Sequence, residues 1–315
     1  MLRIFPEKWG LGIEITASSV RLAAMNGSGP KAAVPYTRKA DLPFGIVTES
    51  YSALNITDTN AFASILKECK DGAARFKTKR VALSLPDGIF RVQTLEFDHM
   101  PEKPLERERL IRWRMEKAAA FDTADTVLRH QVLHRQDTGF TVLASVAKRS
   151  VLAQYEALLA GLGLELWSVG LSSFNVLNFY SPYLSKKSAG SAIVTVTGDT
   201  FTTIISESNG VRFYRFKEIK KGAAEDVNSR LLREIGDSLH FYTHMNRSQQ
   251  CSIGNLFLTG EPGVYDALAG KLAEMTSCVV EVLSPSMVIV PSAASGTDAA
   301  LPPVFAAALG AGGSL

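Results

Sequence analysis

Three short turns in this chain carry the residue types that cradle phosphate. Thr16-Ala17-Ser18-Ser19 and Thr197-Gly198-Asp199-Thr200 each lie between alternating apolar runs. Gly260-Glu261-Pro262-Gly263 follows a short apolar run and precedes a helical pattern. Backbone N–H groups approach an oxyanion closely only where side chains are small or absent, so Ser18, Ser19, Gly198, Asp199 and Gly260 are candidate phosphate-contacting positions.

Other reactive constellations are sparse. His130 and His134 share i, i+4 spacing, but on a strand that separation is about 13 Å, too wide for one metal ion. His240 and His244 sit at the same spacing on a helical pattern, without an obvious third ligand, and read as a solvated face. Cys69, Cys251 and Cys278 are the 3 cysteines, far apart and without a C-x-x-C pair. Such a set fits reduced cytosolic thiols. No G-x-S-x-G element or Cys/His dyad suggests nucleophilic catalysis.

The turns must be held by the elements around them. Residues 10–15 and 20–25 alternate and predict a hairpin across Thr16–Ser19. A helix is expected over 58–76, capped by Asp58 or Thr59, with Phe62, Leu66 and Cys69 on one face. Strands follow at 79–86 and 90–97, then a charged helix over 104–120. Its Trp113, between Arg112 and Arg114, belongs to a solvated face or anchors an interface. Paired strands at 127–134 and 140–147, helices at 151–162 and 172–180, and a short extended piece at 167–170 complete the first part. Residues 185–191 are small and polar and read as a linker. Beyond them come a meander over 192–216, a long helix over 223–244, a strand at 256–258, a helix at 264–275 and a strand at 279–283. A last helix is expected over 302–309, ending at Gly310. Hairpins with small polar turns open both halves, which suggests duplicated lobes around a cleft.

Composition sets the class. The chain has 315 residues, 46% hydrophobic and 21% charged, with net charge +3. That length favours two lobes over one domain, and the apolar content supports a packed core. The basic residues are scattered among acidic ones, so nucleic acid is not an expected partner. No run approaches the ~20 apolar residues of a membrane span, and residues 1–10 lack a signal peptide's apolar region. A cytoplasmic location follows as the expectation, with membrane contact only through a partner.

The ordered series of segments resembles the PilM family, the actin-like component of type IV pilus assembly, related to FtsA and to the cytoplasmic part of GspL. Gly12-Ile13-Glu14-Ile15-Thr16-Ala17-Ser18-Ser19-Val20-Arg21 is similar to its opening G-I-D-I-G-S-S-S-I-K. Ala119-Ala120-Phe121-Asp122 resembles its I-P-F-D segment, and Val169-Gly170-Leu171-Ser172 its V-D-V-E crossover. Ile235-Gly236-Asp237-Ser238-Leu239-His240-Phe241-Tyr242 resembles its E-I-x-R-S-L-x-F-Y helix.

The resemblance implies an α/β, actin-like two-lobed fold, of the FtsA and heat-shock-chaperone type, with an inserted α+β subdomain and a reduced second lobe. Lobe I would span 1–180 with the insert near 82–165, and lobe II would span 190–315. It also implies a nucleotide site at Glu14, Ser18, Ser19, Gly198, Asp199 and Gly260, for ATP with magnesium. Departures from the pattern read that site as vestigial, with no cofactor. Glu14 replaces the magnesium-holding aspartate, and Thr16 replaces a glycine. Val196 replaces the second aspartate and can neither hold a metal-bound water nor take a proton. Glu261 sets an anion where phosphate would come. Too few residues separate Gly222 from Arg233 to fold the subdomain that walls the adenine.

What the resemblance then implies is a scaffold of a pilus inner-membrane platform. It would take the N-terminal peptide of a PilN-like membrane protein, with pilus ATPases and a second copy of itself as further partners. The competing readings are an active ATPase or phosphotransferase of the same superfold, and a GspL-like secretion component.

Overall fold

The structure is a computed structural model. It describes residues 9–27, 32–119, 123–136, 139–187, 190–207, 210–219, 226–245, 253–260, 264–289 and 305–312. Two compact units form, each discontinuous in sequence. One comprises Met1–Asp87, Ala153–Lys186 and Leu283–Leu315; the other comprises Gly88–Leu152 and Lys187–Val282.

The first unit is built on a five-stranded sheet. β1 (Trp9–Ile15), β2 (Ser19–Asn26) and β3 (Ala33–Asp41) form an antiparallel meander. β4 (Arg80–Leu85) and β8 (Glu165–Leu171) add in parallel on the other side of β1, giving the order β3-β2-β1-β4-β8. β1 and β2 are buried at nearly every described position because both faces are covered, and most of their residues are apolar. α1 (Thr59–Gly72) packs along β2 and β3 through buried Phe62, Leu66 and Cys69. Its N-cap is Asp58, whose Oδ1 accepts from the Ala61 amide at 2.9 Å.

α7 (Ala306–Gly312) packs against β1 and against α4 (Ser172–Leu184), and all seven of its residues are buried. This corrects two expectations. The last helix runs through Gly310 instead of stopping there, and it belongs with β1 instead of with a second lobe spanning 190–315. Gly310 is tolerated because it lies against α4. A Cβ there would sit 1.9 Å from the Asn175 carbonyl oxygen. α4 also outlasts its expected end at 180, despite Pro182. The carbonyl of Asn178, deprived of its usual amide by that proline, accepts the Ser181 hydroxyl at 2.9 Å instead.

The second unit contains two sheets. β5 (Arg91–Phe97), β6 (Thr126–Gln136) and β7 (Gly139–Lys148) form an antiparallel three-stranded sheet in the order β5-β7-β6. It carries α2 (Pro104–Ala119), which buries Ile111 and Met115 fully. α3 (Arg149–Gly161) then continues into the first unit.

The other sheet has β9 (Gly190–Thr197), β10 (Thr200–Glu207) and β11 (Gly210–Glu218) as an antiparallel meander. β12 (Ile253–Gly260) and β13 (Val279–Val282) add in parallel beyond β9, giving β11-β10-β9-β12-β13. α5 (Val227–Met245) and α6 (Val264–Met275) bury Leu231, Ile235, Leu268 and Leu272 against it.

The two five-stranded sheets therefore repeat one topology, which gives structural content to the weak echo between the hairpins. The segment 88–152 clusters with 187–282, so the observed units are not a single break of the chain near 180–190. No described helix is long and apolar enough to cross a membrane.

Candidate functional site

In the first unit the β1–β2 hairpin brings Glu14, Ser18 and Ser19 to one end of the sheet. Its turn closes with the Thr16 amide donating to the Ser19 carbonyl at 2.9 Å. The amides of Ser18 and Ser19 both point at a single atom, Thr16 Oγ1, at 3.3 and 3.0 Å. The Thr16 hydroxyl lies 3.2 Å from the Ser19 carbonyl oxygen and 3.1 Å from Ser19 Oγ. Thr16 and Ser19 are buried, while Ser18 is exposed at the tip.

Glu14 does not face open solvent. It is 3% exposed, and its Oε2 accepts from Arg21 Nη1 at 3.0 Å. Its Oε1 accepts from the Ser172 hydroxyl at 2.8 Å, at the start of α4. Arg21 is Glu14's cross-strand partner in the β1–β2 register and is itself 3% exposed. Ser84 on β4 lies beside Glu14 in register, and its buried hydroxyl has no hydrogen-bond partner among the described residues. Asp87 Oδ1 accepts from the Ser173 amide at 3.1 Å, capping the first turn of α4. Gly170 leaves room that the Asn175 amide fills, 2.8 Å from where a Cβ would stand.

In the second unit Gly198 and Asp199 form the two-residue β9–β10 turn, with Thr197 opposite Thr200. Gly198 has φ +58, the conformation a type II′ hairpin requires at its first central position. The Asp199 carbonyl is taken by the Ile219 amide at 2.7 Å. Gly260 ends β12 opposite Val196, with φ +127, and a Cβ on it would meet the Val196 oxygen at 1.9 Å. Gly198, Asp199 and Gly260 thus share one end of this sheet. Val196 is fully buried in the apolar core with Phe201 and Leu258. Glu261 lies outside the described residues.

Sequence reasoning missed Arg21 and Ser172. Arg21 had a signal, because a symmetric hairpin about residues 17 and 18 sets 14 opposite 21. Ser172 had only its place at the end of the Val169–Ser172 crossover segment, and nothing there paired it with Glu14, 158 positions away.

A magnesium–nucleotide group fits these residues poorly. In the first unit both oxygens of Glu14 are engaged by intramolecular donors and the turn amides by Thr16; in the second unit Val196 is packed in the apolar core. Among the described residues, no three His, Cys, Asp or Glu side chains are grouped to hold a metal ion. His240 and His244 are exposed on α5. Trp113 is half exposed on α2, with the Lys117 ammonium 4.3 Å from its ring centroid.

His130 and His134 lie on β6, and the pKa of each is held below its ordinary value. Burial is the first cause, followed by the charge of Arg107 for His130 and of Arg212 for His134. Nε2 of His134 is shielded and makes no hydrogen bond among the described residues. A histidine whose folded pKa is depressed favours folding while neutral, and that contribution fades as pH falls through its unfolded value of about 6.5. The thermal midpoint of this unit is therefore expected to drop between pH 7 and pH 5. His134→Gln should flatten that drop in a melting series, and an unchanged slope would remove His134 from the account.

The chain has an actin-like α/β fold. A chain of the PilM–PilN type IV pilus biogenesis complex superposes with TM-score 0.77 at 20% identity, covering 98% of this chain and 98% of that one. A Bacteroides thetaiotaomicron protein with an actin-like ATPase fold and unknown function gives 0.53 at 12% identity, covering 90% and 94%. The cytoplasmic domain of EpsL, an inner-membrane component of the Vibrio cholerae type II secretion system, gives 0.50 at 12% identity, covering 85% and 96%. No protein-family model matches the chain. None of the curated proteins matches it in sequence.

Proposed function

We propose that this chain is a PilM-like scaffold, a cytoplasmic actin-like component of a type IV pilus inner-membrane platform. It binds the N-terminal peptide of a PilN-like membrane protein and reaches the membrane through that partner. The observation that carries this reading is end-to-end superposition on a chain of the PilM–PilN complex, with the inserted three-stranded subdomain included in the 98% covered. Peptide capture needs an apolar pocket and backbone donors, not hydrolysis, so it survives loss of the nucleotide site.

That loss is part of the proposal. Glu14 is spent on Arg21 and Ser172, Val196 is core, and residues 219–226 leave no length for a folded wall between β11 and α5. A secretion-system role is the second reading, favoured by the likeness to the EpsL domain, which is lower in TM-score than the PilM–PilN match.

The test is a titration of fluorescently labelled peptides into the full chain. One peptide is the N-terminus of the PilN-like protein from the same genome, and the other comes from a type II secretion partner. Saturable binding of the first alone supports the pilus reading. Binding of the second alone moves the chain to the secretion platform, and binding of neither overturns the scaffold proposal.

A further inference from the structure

Two successive backbone amides that converge on one point make a concave, partly positive site for an oxyanion. The Ser18 and Ser19 amides converge in this way, and the oxygen they meet is the hydroxyl of Thr16. It is a neutral oxygen supplied by the same turn, and Thr16 is only 3% exposed. Two residues upstream, a buried carboxylate would ordinarily require a counter-charge from outside the chain or from a neighbour. Glu14 has one built in, the guanidinium of Arg21 at 3.0 Å on the facing strand. Both groups that an external cation and anion would satisfy on this hairpin are satisfied by residues 16 and 21 of the hairpin itself.

We propose that Thr16 and Arg21 are intramolecular stand-ins for a phosphate oxygen and a divalent cation, so that the hairpin is permanently self-occupied and its conformation is independent of nucleotide. The inference rests on the reading of the site as degenerate, and it names the two side chains that close it. It also assigns a reverse path. Removing the Thr16 hydroxyl frees two amides that remain aimed at one point, and removing the Arg21 charge leaves a buried carboxylate that a divalent cation can neutralise.

The experiment is thermal unfolding of the full chain with magnesium pyrophosphate and with magnesium alone, each at about 5 mM. Ligand that binds only the folded state raises the midpoint. Wild type and Thr16→Ser, which keeps the hydroxyl, are expected to move by less than about 1 °C. Thr16→Ala, which leaves the ion pair intact, is expected to rise by about 2 °C or more with pyrophosphate. Arg21→Ser is expected to recover several degrees with magnesium alone, whereas Arg21→Lys, which retains a cation, is not. Absence of a pyrophosphate response in Thr16→Ala overturns the stand-in proposal and leaves the degenerate-site reading untouched. A clear response in wild type overturns both. Far-UV circular dichroism and a cooperative melt check that Thr16→Ala is folded, so a failed Arg21 variant does not remove the test.

Discussion

Replacing Arg21 with leucine is expected to destabilise the first unit by about 3–5 kcal/mol, the cost of leaving a buried carboxylate without its partner. The magnitude follows from where the pair sits. Glu14 and Arg21 side chains are 4% and 3% exposed, and they oppose each other across the β1–β2 register. The Ser172 hydroxyl supplies one further donor to Glu14, which is too little to compensate a full charge in that setting. The double variant Glu14→Leu/Arg21→Leu removes both charges and is expected to recover most of the loss, because burying the pair was itself costly. Urea unfolding followed by far-UV circular dichroism measures all four corners of the cycle. A cost under about 1 kcal/mol for Arg21→Leu would place the pair among solvent-screened ion pairs and contradict the burial.

The same pair shows what the sequence could and could not display. Hairpin symmetry makes Glu14 opposite Arg21 readable from the turn alone, since strand pairing is local. The hydroxyl of Ser172 reaches Glu14 only because β1, β4 and β8 lie side by side, and that neighbourhood depends on crossover connections that spacing does not encode. The alternating runs marked β1, β2, β4, β5, β6, β7, β9, β10 and β11, and periodicity marked α1, α2, α5 and α6. β3 escaped because its sequence, AVPYTRKAD, carries Pro35 and charged residues. Those features suit an edge strand, where one side of the backbone has no ladder partner. α7 was misplaced for a different reason. A helix buried on all sides has no polar face, so its AAALGAG sequence shows no amphipathic period, and its glycines look like a stop.

Those glycines set the second large effect. Gly12→Ala is expected to destabilise the first unit by about 1–3 kcal/mol or more, because the new methyl has nowhere to go. A Cβ on Gly12 would stand 1.8 Å from the Ala308 oxygen and 2.7 Å from the Gly312 nitrogen, both backbone atoms of α7. Backbone cannot rotate aside as a side-chain tip does, so the whole helix must shift by more than an ångström. On its far side α7 is equally confined, with Gly310 against the Asn175 carbonyl. The strain therefore passes to α4, whose first turn carries Ser172 and Ser173 beside Glu14 and Asp87. Gly12→Ala should thus lower the melting midpoint and speed proteolytic loss of the C-terminal segment together. Gly270→Ala is the matched control. That glycine lies within α6 with nothing inside 4 Å of its missing Cβ, so alanine there is expected to stabilise by about 0.5–1 kcal/mol. Opposite signs at the two positions would show that backbone contact between β1 and α7, and not glycine replacement as such, holds the C-terminus against the sheet. Equal signs would mean that α7 yields without cost and that the polar row at Glu14 does not depend on it.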